Sequence, residues 1–148
     1  MTHKEAALQL FHERLLCSQA VVAAFAKECG ITEEQAFKLG TAFGTGMRKG
    51  EVCGAVTGAL MVIGLLYGQK NGSDTLGRSR AYDAAEKMMD RFTERCGSYL
   101  CSELLGCDIK TEEGRTQAIE RKLYTEFCPT MVGKAVDLLE EIMKEEES

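Results

Sequence analysis

The chain has 148 residues, 45% of them apolar, with 18 Lys and Arg against 23 Asp and Glu and a formal net charge of −5. That length suits one domain spanning residues 1–148 with a substantial buried core. With no basic stripe and only four Tyr and six Phe, nucleic acid is not an expected partner.

The charged residues Lys4, Glu5, Glu13 and Arg14 occupy the start of the chain, where a signal peptide would need an apolar run. A cytoplasmic location is therefore expected. Seven cysteines there stay mostly reduced, and an odd number cannot all pair within one chain.

Helical spacing recurs along the whole sequence, and Pro129 is the only proline. Leu8, Phe11, Leu15, Val22, Phe25 and Cys29 form one stripe, with Ser18 its polar member, which predicts a helix over about residues 3–28. On that pattern Cys17 falls mid-helix, one step off the seam, and by itself reads as a small core residue. Gly30 ends the helix as a cap. Thr32 followed by Gln35 makes a capping box for a helix over about 33–41.

The glycine-rich run Gly44–Gly50 reads as a loop leading into a central helix over about 52–67. Residues Val52 to Gln69 carry no charge and approach membrane-spanning length, but Gly54, Gly58, Gly64 and Gly68 point to a buried helix and no membrane insertion. Gly54 and Gly58, like Ala55 and Ala59, are four apart, a spacing that lets another backbone come close.

A turn at Asn71-Gly72-Ser73-Asp74 precedes a helix over about 75–95, with Ala81, Ala85, Met88, Met89 and Phe92 inward and Gly97 as its stop. Ser98 is placed to cap a short helix through Leu105, ended by Gly106. A polar helix follows over about 111–124. Pro129 suits the first position of a last helix, which buries Val132, Ala135, Val136, Leu139, Ile142 and Met143 and frays into the acidic tail 144–148. The expected fold is all-α, a compact bundle of about five to seven helices around a central Gly/Ala-rich buried helix.

Position relative to helix ends separates the seven thiols. Cys53, Cys101 and Cys128 fall at predicted helix starts, where the dipole favours thiolate. Cys29 and Cys96 fall at helix C-terminal ends on apolar faces and are assigned to packing. Cys107, in a loop after Gly106, is open as a ligand, a resolving thiol or an exposed bystander. His3 and His12 read as part of a solvated face, and Arg48 and Lys49 either steady an anion at Cys53 or form an ordinary basic loop. There is no Cys-x-x-Cys, no Cys-x-x-Cys-His for haem attachment and no phosphate loop. Glu13, Glu51 and Glu103 form no acid–base pair, so no catalysed reaction is assigned.

The run Gly50-Glu51-Val52-Cys53-Gly54-Ala55-Val56-Thr57-Gly58-Ala59 is distinctive. Cys17-Ser18-Gln19-Ala20-Val21 and Gly44-x-Gly46-Met47 precede it, and Cys101-Ser102-Glu103-Leu104-Leu105-Gly106 and Cys128-Pro129 follow. Together these segments resemble a bacterial and archaeal family of redox-active proteins with four characteristic cysteines around a Cys-Gly-Ala-x-x-Gly core. The resemblance implies that Cys17, Cys53, Cys101 and Cys128 are the functional set, and so overrules the packing reading of Cys17. A similar module accompanies haem and an iron–sulfur cluster in split-Soret cytochromes, of which only the cluster part suits this chain.

The leading expectation is an iron–sulfur cluster or other metal held by Cys17, Cys53, Cys101 and Cys128, in an electron carrier or an accessory to an oxidoreductase partner. One alternative is metal-free thiol/disulfide chemistry, with Cys53 as reactive thiol and Cys101 or Cys128 resolving it. Another is structural zinc on the same four cysteines, or a plain helical interaction module. A homodimer through the small-residue helix or the apolar last helix also fits the sequence.

Overall fold

A computed structural model describes all 148 residues, and it is all-helical. Seven helices have eight residues or more: α1 (His3–His12), α2 (Cys17–Ala24), α4 (Glu33–Gly40), α5 (Gly54–Tyr67), α6 (Thr75–Cys96), α8 (Glu112–Glu120) and α10 (Cys128–Glu147). Between them lie the single turns α3 (Ala26–Cys29), α7 (Cys101–Leu105) and α9 (Leu123–Glu126). The only extended pairing is one antiparallel bridge between Val52 and Leu100. No helix is long and apolar enough to cross a membrane.

Helix ends follow their capping chemistry. Thr32 Oγ1 accepts from Gln35 N–H at 3.0 Å while Gln35 Oε1 accepts from Thr32 N–H at 2.9 Å, the reciprocal box the sequence predicts. Asp74 caps α6 by accepting from Gly77 N–H at 2.9 Å. Gly30, Gly97 and Gly106 end α3, α6 and α7 at φ 71°, 92° and 67°. Ser98 lies two residues ahead of the cap it was expected to be. Its hydroxyl accepts from Leu100 N–H at 3.0 Å and donates to Glu103 at 2.6 Å, and Leu100 occupies the cap position.

The predicted first helix is broken twice, into α1, α2 and α3. After α1 the chain turns at Arg14, whose φ is 73°, and Leu16 is extended before α2 starts. The break lets α2 pack separately against α4 and α5. Ser18, the polar member of the stripe, is fully buried there and donates to the Gly40 carbonyl at 2.7 Å. Gln19 donates to the Phe37 carbonyl at 3.0 Å.

The core gathers Val21, Val22 and Phe25, the α5 residues Val56, Val62 and Ile63, Met88 and Phe92 of α6, and the inner face of α10. Gly54 and Gly58 do what their spacing predicts: a Cβ on them would lie 3.2 Å from the Ser18 nitrogen and 2.9 Å from the Ser18 carbonyl oxygen, respectively, so α5 meets α2 backbone to backbone. Burial of α5 is confined to its first ten residues, and Leu65 is exposed. The acidic tail, expected to fray, stays helical through Glu147. Arg91 donates to both oxygens of Glu145 at 2.6 and 2.9 Å, and Arg80 to Glu146 at 2.7 Å, which ties α6 to the end of α10.

Candidate functional site

Four helix beginnings meet at one place. Cys17 is the first residue of α2, Cys53 caps α5, Cys101 is the first residue of α7, and Cys128 is the first residue of α10, ahead of Pro129. All four line one cavity of about 580 Å³. For Cys53, Cys101 and Cys128 the helix starts lie within a residue or two of the expected ones. Cys17 differs, because the turn at Arg14 moves it from mid-helix to a helix start. One signal for that break is in the sequence: Gln19 sits three residues after Leu16, and its Oε1 accepts from Leu16 N–H at 2.8 Å. Without Ser, Thr, Asp or Asn at the cap, the signal is only half of the usual pattern.

Local backbone pairing fixes Cys53 beside Cys101. Cys53 N–H donates to the Tyr99 carbonyl at 2.8 Å, and Cys101 N–H donates to the Glu51 carbonyl at 2.6 Å, on either side of the Val52–Leu100 bridge. Alternation along a strand then turns Cys53 and Cys101 to the same face. The glycine loop packs against the same elements. A Cβ on Gly46 would sit 3.0 Å from Cβ of Cys101, one on Gly44 would press on Leu16, and one on Gly54 would overlap the Cys17 sulfur. Gly46 and Gly50 have φ of 61° and 67°, which glycine adopts freely. Thr45, Met47 and Arg48 share that left-handed region at 56°, 56° and 68°, an uncommon cluster for residues with side chains.

Charge is distributed unevenly among the thiols. Cys17 is brought down to about 7, first by a hydrogen bond from the Cys53 thiol and then, against the cost of burial, by the backbone amides of Thr45, Ser18 and Cys17 itself. Cys53 is pushed well above the ordinary thiol range, first because it is the donor to Cys17 and also because it is buried. Burial raises Cys101 and Cys128 to about 12, with the neighbouring Cys17 charge adding to it. A helix start therefore does not by itself favour thiolate here. Desolvation leads at Cys101 and Cys128, Cys53 is raised first as the donor to Cys17, and only Cys17 has enough donors to offset burial. Cys53, expected to be the reactive thiol of a metal-free site, shares its proton with Cys17 in a coupled pair.

The cavity rim is basic. Arg14, Arg48, Arg115 and His12 line it, and no Asp or Glu does. Sequence reading pointed to Arg48 and Lys49, of which only Arg48 lines the cavity; it missed Arg14, Arg115 and Thr45, which no local motif marks. His12 was expected on a solvated face and lies at this rim. His3 was expected there too, yet its ring stacks on Phe25 at 4.1 Å and bonds Glu28 at 2.9 Å and Glu140 at 3.2 Å.

The remaining thiols lie outside the cavity. Cys29 and Cys96 end α3 and α6 and pack against the main core; burial raises both, Cys29 to about 11. Cys107 is buried, so it is not an exposed bystander. It sits in a small second cluster with Cys101 and Leu105, 3.6 Å from Arg121 Nη1.

No three His, Cys, Asp or Glu side chains are grouped closely enough to hold one metal ion. The four thiols line one shared space. Among curated proteins and among solved structures, no match to this chain was found. A family model does match, over residues 15–142, which includes all four cavity cysteines and the Cys53-Gly54-Ala55-Val56-Thr57-Gly58 core. The chain belongs to the family described as "Putative redox-active protein (C_GCAxxG_C_C)".

Proposed function

We propose that Cys17, Cys53, Cys101 and Cys128 hold an iron–sulfur cluster in this cavity, and that the protein passes electrons to or from an oxidoreductase partner. The observation that carries this reading is that four cysteines from four distant segments, each at a helix beginning, line one cavity without a carboxylate. Four thiolates are the usual complement of a [2Fe–2S] or [4Fe–4S] centre, which when bound supplies one-electron chemistry. The residues around it have defined tasks. The amides of Cys17, Ser18 and Thr45 donate towards sulfur, which stabilises negative charge there. Arg14, Arg48 and Arg115 oppose the net negative charge that four thiolates bring. Leu105 and Met131 are buried and keep water from that side.

Anaerobic reconstitution with ferrous iron and sulfide tests the proposal. The expected result is a visible charge-transfer spectrum, with iron and sulfide bound stoichiometrically and lost in Cys17→Ser and Cys128→Ser. A colourless product, or zinc alone bound by the same cysteines, would overturn it.

The placing of Cys17 and Cys53 in one cavity, where each shifts the other's proton affinity, favours a second reading, a dithiol that reduces an external disulfide. Cys17 thiolate attacks one sulfur of that disulfide and releases the other as a thiolate. Cys53 gives up its proton and attacks the Cys17 sulfur, releasing the second thiol and leaving a Cys17–Cys53 disulfide. The protein loses two electrons and the external disulfide gains them. Metal-free redox titration separates the readings: a two-electron couple abolished by Cys53→Ser supports exchange.

A further inference from the structure

Charge is segregated on this protein. The chain carries 23 acidic residues, yet none lines the thiol cavity, while three arginines and a histidine do. Elsewhere arginines are matched: Arg80, Arg91 and Arg95 on α6 each hold a glutamate of α10. At the cavity, Arg14, Arg48 and Arg115 have no carboxylate within ion-pair distance. Arg115 is nonetheless held in place, since its Nη1 donates to the carbonyls of Ile109 at 3.0 Å and Lys110 at 3.3 Å.

Backbone strain marks the same rim. Five residues other than glycine have positive φ, and three of them, Arg14, Thr45 and Arg48, line the cavity. Such conformations are unfavourable for residues with a Cβ and persist where the surroundings enforce them. The cavity lining is otherwise largely apolar, with Phe11, Leu15, Tyr124, Phe127 and Met131 among it. Ile119 adds an exposed apolar side chain at the opening, 65% accessible to solvent. A volume of about 580 Å³ falls within the range of roughly 300–1,000 Å³ typical of small-molecule sites.

We infer that this cavity binds a small organic anion, a carboxylate or phosphate carried on an apolar body, beside the four cysteines. The anionic head meets Arg14, Arg48 and Arg115, and the body lies against the apolar walls towards the sulfurs. This role goes beyond electron transfer and uses the same three arginines that face the thiolates, but rim and walls belong to the chain and do not require a metal. A cluster that fails to assemble would therefore leave anion binding intact, and iron content reports that failure separately.

Calorimetric titration of the full-length, thiol-reduced, metal-free chain tests the inference with three probes of one shape: naphthoate, naphthyl phosphate and neutral naphthamide. At least one anion is expected to bind, one per chain, about tenfold or more tighter than the amide, a difference of about 1.4 kcal/mol. Preference between the two anions identifies a carboxylate or a phosphate as the natural head group. The double variant Arg14→Gln, Arg48→Gln is expected to weaken the anion about fivefold or more and leave the amide unchanged. Arg91→Gln, on the α6–α10 face, is expected to change neither. Circular dichroism confirms that the variants fold, and both replaced side chains are exposed. Absence of anion binding, equal affinity for amide and anion, or an unaffected double variant would overturn the inference. So would inorganic phosphate binding as tightly as naphthyl phosphate, which would leave the apolar walls without a part.

Discussion

At Cys17, the Cys53 thiol and three backbone amides all act on one sulfur. Thiolate therefore appears there as pH rises through about 7, below the ordinary thiol value of about 8.5. In the reduced, metal-free chain, iodoacetamide labelling of Cys17 followed by mass spectrometry is expected to accelerate with pH around that same midpoint. Cys53→Ala removes a donor and is expected to move the midpoint upward; Cys53→Ser keeps an O–H donor and moves it less. An unchanged midpoint in Cys53→Ala would contradict the hydrogen bond. The same shift stabilises the folded chain above the ordinary thiol range, a contribution that fades as pH falls through about 7. Sequence pattern identified Cys53, Cys101 and Cys128 as helix starts because Gly-rich, Ser- and Pro-marked boundaries precede or follow them. It misplaced Cys17 because residues 13–16 contain neither Gly nor Pro and the apolar stripe continues past them with Ser18 as its one polar member. The helix breaks there at Arg14, whose left-handed conformation no local residue pattern marks.

Within α5, glycines serve opposite purposes at the two ends. Gly54 abuts the Cys17 sulfur and the Ser18 amide, so Gly54→Ala forces the helix away from α2. A loss of about 1–3 kcal/mol is expected in denaturant unfolding, together with a changed Cys17 labelling profile. Gly64 is exposed in the helix interior, and nothing lies within 4 Å of where its Cβ would be. Gly64→Ala is therefore expected to stabilise by about 0.5–1 kcal/mol and leave labelling unchanged. Spacing identified α5 as a helix that another backbone approaches; that the approaching helix is α2 could not be read from it. The loop before α5 was legible as glycine-rich, but the Val52–Leu100 bridge pairs residues 48 positions apart and leaves no local pattern.

Across the molecule, the inner face of α10 was readable from periodicity, and its acidic end was misjudged because charge density alone suggested a solvated tail. Arg91 with Glu145 and Arg80 with Glu146 show what compensates that charge. Glu145→Gln is expected to lower the melting temperature slightly at low ionic strength. The difference should vanish at about 1 M salt, where screening acts within ~3 Å, and the cavity thiols should label as before. A variant effect that persists at high salt would place Glu145 in packing instead.

Cys128 opens α10, the helix that also completes the core, while Cys17 lies far upstream. During synthesis on a ribosome Cys17, Cys53 and Cys101 emerge before Cys128. A nascent chain lacking α10 has neither the full donor set nor the enclosure, so the quartet comes together only after translation has passed α10.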